Sequence, residues 1–219
     1  MSIVTVERKV LEKNDAIAAH NRVRLQAHGV FAFNIVSSPG AGKTSLLERT
    51  IERLRDQVRI GVIEGDVQTD LDAQRVARYG VPVVQIVTNG ACHLEAQLVE
   101  DAIDRLDLSK LEVLVIENVG NLVCPAAYDL GEALKVVVLS TTEGDDKPLK
   151  YPAMFRSASV LIINKTDLLP HIPCDINAMK RNARQVNPHL DIFETSCTTG
   201  VGIGAWCTWI TRQVAAGHA

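Results

Sequence analysis

The 219 residues carry 23 Lys and Arg against 26 Asp and Glu, a net charge of −3, and 47% of them are hydrophobic. A slightly acidic chain has no global field to draw nucleic acid or an anionic membrane, and nothing in it approaches the roughly eighteen unbroken apolar residues of a membrane span. The length is enough to bury one α/β core, with room for a small helical appendage.

In chain order, residues 1–28 set Val10, Ile17, Val23 and Leu25 among many polar side chains. They read as an N-terminal extension of one or two amphipathic helices, packed on the edge of a main domain over 29–219 or used as a dimer contact. Strands follow at 31–36 (Phe-Ala-Phe-Asn-Ile-Val), 58–63, 81–87, 111–116, 134–139 and 159–163, with a short one at 190–194. These runs are rich in Val and Ile and do not alternate, as expected of strands buried on both faces. Helices are expected at 44–56, 70–79, 93–106, 175–186 and 201–215, the last broken early by Gly202 and Gly204. The pattern predicts an α/β fold of the P-loop NTPase kind: a mostly parallel sheet of about seven strands, helices on both faces, and an N-terminal amphipathic helix.

Met1 to Asn14 has scattered charges and no apolar leader, and five cysteines in no regular spacing do not form a disulfide framework. Reduced thiols in a cytoplasmic protein are the expectation.

The first strand runs into Ser37-Ser38-Pro39-Gly40-Ala41-Gly42-Lys43-Thr44, followed by Ser45 and a helix. In such a loop small residues let backbone N–H groups converge on a β-phosphate, the lysine spans β and γ oxygens, and the Thr44 hydroxyl binds Mg²⁺. Ser38 through Ser45 are therefore candidate nucleotide ligands, with Lys43 also catalytic. Ser37 replaces the usual first glycine, so a side chain has to fit at the end of the strand.

After the strand at 159–163 comes Asn164-Lys165-Thr166-Asp167. Asp167 can accept from guanine N1–H and its exocyclic amine, neither of which adenine offers. Asn164 would approach N7 and O6, and the Lys165 stem would cover the base. Thr195-Ser196-Cys197, after the last short strand, places Ser196 and Cys197 where a backbone N–H meets guanine O6. The two motifs in this order point to GTP and GDP.

Glu117 ends the run 111–116 and precedes Gly120, an arrangement that lets a carboxylate reach Mg²⁺ while the glycine N–H senses a γ-phosphate. Asp66 is the expected second carboxylate, giving Mg²⁺ ligands Thr44, Asp66 and Glu117, the last two also catalytic. Asp70 reads as a helix N-cap. Small signalling G proteins place a water-orienting glutamine directly after the switch glycine; here Asn121 is shorter, which predicts slow hydrolysis. Lys147 is a candidate to reach nucleotide in cis or across a dimer, though a solvated loop lysine is the favoured reading.

Cys92 and His93 follow a strand and are expected to open a helix, whose dipole would favour the thiolate; Cys124 lies four residues past Gly120. Three such donors leave a coordination position open, or build a shared site about a twofold axis. Tetrahedral Zn²⁺ and square-planar Ni²⁺ are both compatible with this set. Cys174 and Cys207 are given no metal role.

These motifs, together with Glu64-Gly65-Asp66, Glu117-Asn118-Val119-Gly120-Asn121-Leu122-Val123-Cys124-Pro125 and Glu143-Gly144-Asp145-Asp146-Lys147-Pro148-Leu149-Lys150-Tyr151-Pro152, resemble the hydrogenase nickel-incorporation GTPase HypB family, within the SIMIBI class of P-loop GTPases. The resemblance runs from about Phe31 to Trp209. In that family serine at the first loop position is usual. The resemblance implies a slow Mg²⁺-dependent GTPase acting as a metallochaperone in [NiFe] hydrogenase maturation. It further implies a homodimer strengthened by GTP, a nickel or zinc site of Cys92, His93 and Cys124 at the dimer interface, a HypA-type nickel chaperone as partner and the hydrogenase large-subunit precursor as recipient. Some members carry an N-terminal Cys-x-x-Cys-Gly-Cys site or a histidine-rich store; residues 1–30 contain no cysteine and the six histidines are scattered, so neither property is expected here.

Overall fold

The computed structural model describes residues 6–217; residues 1–5 of the expected extension, and 218–219, lie outside it. The first element is a single helix, α1 (Val6–Ala27), rather than two. Its apolar residues do less than the pattern suggests: Val23 is 63% exposed and Val10 also faces water, while Ala18 and Leu25 are buried. Polar side chains fasten it instead. Asn14 and Asn21 donate to the carbonyls of Asp129 and Leu130, Asn21 also donates to Ala96 O, Ala96 N donates back to Asn14 Oδ1, and Arg22 pairs with Asp129. An amide buried in this way holds position because losing a partner costs about 1–3 kcal/mol.

Seven strands form one sheet in the order β3-β2-β4-β1-β5-β6-β7. They are β1 (Phe31–Ser37), β2 (Ile60–Asp66), β3 (Val83–Val87), β4 (Val113–Glu117), β5 (Leu134–Ser140), β6 (Val160–Asn164) and β7 (Asp191–Glu194). Every pairing among them is parallel. Each strand therefore returns to the sheet through a crossover, and helices cover both faces. Successive β1 side chains point opposite ways: Phe31, Phe33 and Ile35 join the core under α2 (Lys43–Leu54) and α8 (Ile203–Ala215), and Ala32 and Val36 face the other layer. In the first layer Trp206 is fully buried, edge-on to Phe33, and its indole N–H donates to Thr50 Oγ1 at 3.0 Å. Cys207 beside it is core packing; burial pushes its thiol up to about 11.

The remaining helices are α3 (Leu71–Ala77), α4 (Ala96–Ile103), α5 (Lys147–Lys150), α6 (Pro152–Ser157) and α7 (Ile176–Val186). Two departures from expectation matter below. Residues 147–157 form a pair of short helices, each opened by a proline near its start. The helix expected from residue 93 starts at Ala96, because Glu95 is extended (φ −110°, ψ 156°) and Leu94 is drawn into the core with no solvent exposure.

β1 lies between β4 and β5; the crossover leaving β1 runs to β2 on one side, and the crossover leaving the adjacent β4 runs to β5 on the other. The loop after β1 therefore lies in the crevice at the C-terminal edge of the sheet, where open α/β sheets bind ligands. The loops after β2, β4, β5, β6 and β7 open onto the same edge.

Candidate functional site

The loop after β1 is built to receive an anion. Lys43 opens α2, and the preceding Gly42 sits in the N-cap position with no side chain to cap it, so the first N–H groups of the helix remain available. Gly42 has φ +99°, and a Cβ there would lie 2.5 Å from Asn164 Nδ2, so only glycine closes the loop. Ser37 has a specific use: its buried hydroxyl accepts from Lys43 Nζ at 3.2 Å, holding the ammonium over the loop. The loop lines a cavity of about 530 Å³ with Thr44, Ser45, Asp66, Asp72, Gly120 and Lys165 among its walls.

Three carboxylates meet at its floor. Thr44 Oγ1 donates to Glu117 Oε1 at 2.8 Å, and carboxylate oxygens of Glu64, Asp72 and Glu117 all lie within 4.8 Å of one another. Glu64 and Glu117 are register partners on β2 and β4, each 2% exposed. Their second oxygens are buried without a partner. Burial, then the neighbouring Glu117 charge and that of Asp72, raises Glu64 to about 10, and burial pushes Glu117 up as well. Crowded, unpartnered, hard oxygen donors beside a threonine hydroxyl fit Mg²⁺. Of this set the sequence pointed to Thr44 and Glu117; Glu64 and Asp72 were missed. Asp66 stands at the end of β2 and lines the cavity, with Oδ1 accepting from the N–H groups of Gln68 and Thr69. Burial opposes its ionisation, but those bonds outweigh it and hold the carboxyl below its usual range. Asp70 occupies the N-cap position of α3 without a side-chain cap bond.

The loops after β6 and β7 are tied to each other and to the phosphate loop. Buried Asn164 donates to Ala41 O at 3.1 Å and accepts from Thr195 Oγ1 and the Cys197 thiol. Lys165, held at φ +62°, donates to Gly40 O at 2.7 Å, which lays its stem along the phosphate loop. Asp167 accepts from Ser196 Oγ at 2.6 Å. The expected base-reading residues thus share one end of the crevice. Lys147 departs from the solvated reading. On α5 its Nζ donates to Ser38 Oγ at 3.2 Å, lies 3.5 Å from Glu143 and sits 5.2 Å above the Tyr151 ring, so it is a half-buried cation aimed at the phosphate loop.

Cys92, His93 and Cys124 converge. The two sulfurs are 3.0 Å apart, Cys92 Sγ is 3.8 Å from His93 Nδ1, and one donor atom from each residue falls within 4.8 Å of the others. The cysteines are free thiols. With α4 starting at Ala96, the helix-dipole argument for the Cys92 thiolate fails. The shared hydrogen bond with Cys92, then burial, pushes the Cys124 thiol up, and a thiophilic ion would reverse this. Burial keeps His93 below the ordinary imidazole value, favouring the neutral, metal-binding form against the pull of Glu95. Its Nε2 is buried with Glu95 Oε1 3.8 Å away, and its ring lies against Tyr128. An imidazole ligating through Nδ1 would present its other N–H to that carboxylate.

Backbone links this cluster to the phosphate site. Glu117 and Cys124 bracket one stretch of chain. Within it Gly120 packs on Pro39 so closely that a Cβ would lie 3.1 Å from Pro39 Cα. Asn121 donates to Cys92 O at 3.2 Å and accepts from Val123 N at 2.8 Å, so its amide is committed to the metal loop and not to a water over the nucleotide.

Residues 31–194 match the model of the CobW/HypB/UreG nucleotide-binding domain. The hydrogenase maturation factor HypB of Azotobacter vinelandii is 54% identical over 96% of this chain and 70% of its own. HypB of Archaeoglobus fulgidus is 40% identical with a TM-score of 0.87, covering 93% of this chain and 99% of its own. HypB of Helicobacter pylori, solved in complex with nickel, is 39% identical with a TM-score of 0.89, covering 93% and 96%.

Proposed function

Since the chain belongs to the HypB hydrogenase maturation factors, within the CobW/HypB/UreG nucleotide-binding domain family, we propose that it is a slow Mg²⁺-dependent GTPase whose nucleotide state governs how tightly it holds nickel. The observation that carries this reading is the single stretch from Glu117 to Cys124, which supplies a carboxylate to the phosphate site, a glycine against the phosphate loop and a thiol to the metal cluster.

GTP would lie along the crevice, guanine at Asn164, Lys165, Asp167, Ser196 and Cys197, and phosphates over Ser38 to Ser45. Thr44 and Glu117, with Asp66 facing the same cavity, would hold Mg²⁺, which would supply positive charge against the phosphates. The buried Glu64, beside Glu117, completes the acidic floor. Lys43, steadied by Ser37, follows negative charge onto the leaving β–γ oxygen as water attacks the γ-phosphorus. The commitment of Asn121 to Cys92 leaves that water without an amide to orient it, which supports slow turnover to GDP and phosphate. Lys147 stands within reach of the phosphate loop.

At the cluster, nickel is cargo. Two thiol sulfurs and an imidazole nitrogen that already converge form a soft, mixed donor set that would hold Ni²⁺, or Zn²⁺, once the thiols give up their protons. Two sulfurs and one nitrogen leave a coordination position that a second chain could fill in a GTP-favoured homodimer. A HypA-type chaperone as donor and the hydrogenase large-subunit precursor as recipient, in the cytoplasm, complete the proposal; among the described residues no helix is long and apolar enough to cross a membrane. Nickel titration of protein loaded with GDP or a non-hydrolysable GTP analogue tests the switch. Affinities differing about fivefold or more are expected, and equal affinities would end it.

A further inference from the structure

We infer that Asn118 is the positioning residue that couples the phosphate side of the site to the metal side, seconded by Asn121. This rests on the reading above and identifies the part that would carry it. Asn118 follows Glu117 and precedes the Val119-Gly120 pair that touches the phosphate loop; its own N–H donates to Ile35 O at 2.9 Å, and it is 1% exposed. Its side-chain oxygen accepts from two backbone N–H groups at once, Val119 at 3.0 Å and Leu94 at 3.2 Å. Val119 belongs to the loop that would sense the γ-phosphate. Leu94 is the neighbour of His93.

One carbonyl oxygen has two lone pairs, and here each is spent on a different half of the site. If Val119 and Gly120 shift as a γ-phosphate is bound or lost, Leu94 has to follow or leave its buried N–H unpaired, and the second course is expensive. The amide cannot swing to compensate, because its Nδ2 donates to Asn34 Oδ1 at 3.3 Å in a site where Asn34 is itself fully buried. Asn34 in turn donates to the buried Glu132 at 3.3 Å, which anchors the chain of amides away from solvent. On the outer side Asn121 repeats the link from the same stretch of chain, by its bond to Cys92 O. The two amides thus grip the Cys92-to-Leu94 segment from both ends, and neither is among the residues assigned to nucleotide, Mg²⁺ or nickel. A merely structural amide would scale every affinity together, whereas a coupling amide sets their ratio.

The experiment measures nickel affinity in the nucleotide-free, GDP and GTP-analogue forms of the full chain for wild type, Asn118→Ala and Asn121→Ala. Loss of coupling appears as a GTP-analogue to GDP ratio that falls about fivefold or more towards one, with nucleotide-free nickel affinity within about twofold of wild type. A folded Asn118→Ala protein that keeps the wild-type ratio, or loses affinity equally in every state, overturns the assignment. Should Asn118→Ala not fold, Asn121→Ala decides by the same criterion. A wild-type ratio of one would sink the switch and this inference together. A large wild-type ratio that survives in the variant sinks only the role of Asn118.

Discussion

Replacing Glu64 with Gln tests the acidic floor of the phosphate site. In the folded chain burial and the adjacent Glu117 raise Glu64 from 4.5 to about 10. Unfolded, it releases its proton near 4.5. Between those values the unfolded chain binds fewer protons than the folded one, so this group's contribution is fully present below 4.5 and is lost as pH rises through about 10. Each pH unit inside that window costs about 1.4 kcal/mol, and two units, from 5.5 to 7.5, cost roughly 3 kcal/mol as an upper figure. Gln keeps the shape and cannot ionise. Urea denaturation of metal-free and nucleotide-free protein at the two pH values gives the comparison, in which other titrating groups cancel. The variant should gain up to about 3 kcal/mol on wild type as pH rises to 7.5, and lose that advantage when Mg²⁺ and nucleotide bind. Parallel pH profiles for the two proteins would refute the buried-carboxylate reasoning.

Asp167→Asn should lower GDP affinity by roughly tenfold to a hundredfold, the worth of a charge-assisted hydrogen bond, with little change in ADP binding; equal losses for both nucleotides would show that Asp167 does not read the base. Cys124→Ser should weaken nickel binding about tenfold or more and leave GDP affinity unchanged, as calorimetry can establish. Gly120→Ala places a Cβ 3.1 Å from the Pro39 backbone, so binding of the GTP analogue should fall more than binding of GDP, which makes no γ-phosphate contact. Lys147→Gln removes the cation over Ser38 and should slow single-turnover GTP hydrolysis about tenfold or more, an effect absent if the lysine only packs on Tyr151.

The sheet was legible because its inner strands are buried on both faces, and β1, buried at every position, reads as an apolar run interrupted only by Asn34 before it ends at Ser37. The phosphate and guanine motifs were legible because their residue types sit at fixed spacing after strands. What sequence could not supply was side-chain direction. Glu64 reads as the end of a strand until β2 is paired with β4, which sets it opposite Glu117; a glutamate inside an otherwise apolar run was the available signal. Lys147 reads as a loop lysine because two prolines obscure the short helices that aim it at Ser38. Helix α4 was read three residues early, since Leu94 continues the apolar period while serving the core as a plug. That error carried with it the argument for the Cys92 thiolate, although the clustering of Cys92, His93 and Cys124 does not depend on it. In α1 the apolar period misled because asparagines, not valines, hold the helix.

The central claim is that phosphate and metal sites share one free energy, and a closed thermodynamic cycle tests it most directly. Calorimetry would give nickel affinity with GDP and with the GTP analogue, and the affinity of each nucleotide with and without nickel. The account predicts that the factor by which nucleotide changes nickel binding equals the factor by which nickel changes nucleotide preference, both about fivefold or greater. Two factors of one, in protein that binds both ligands, would contradict it.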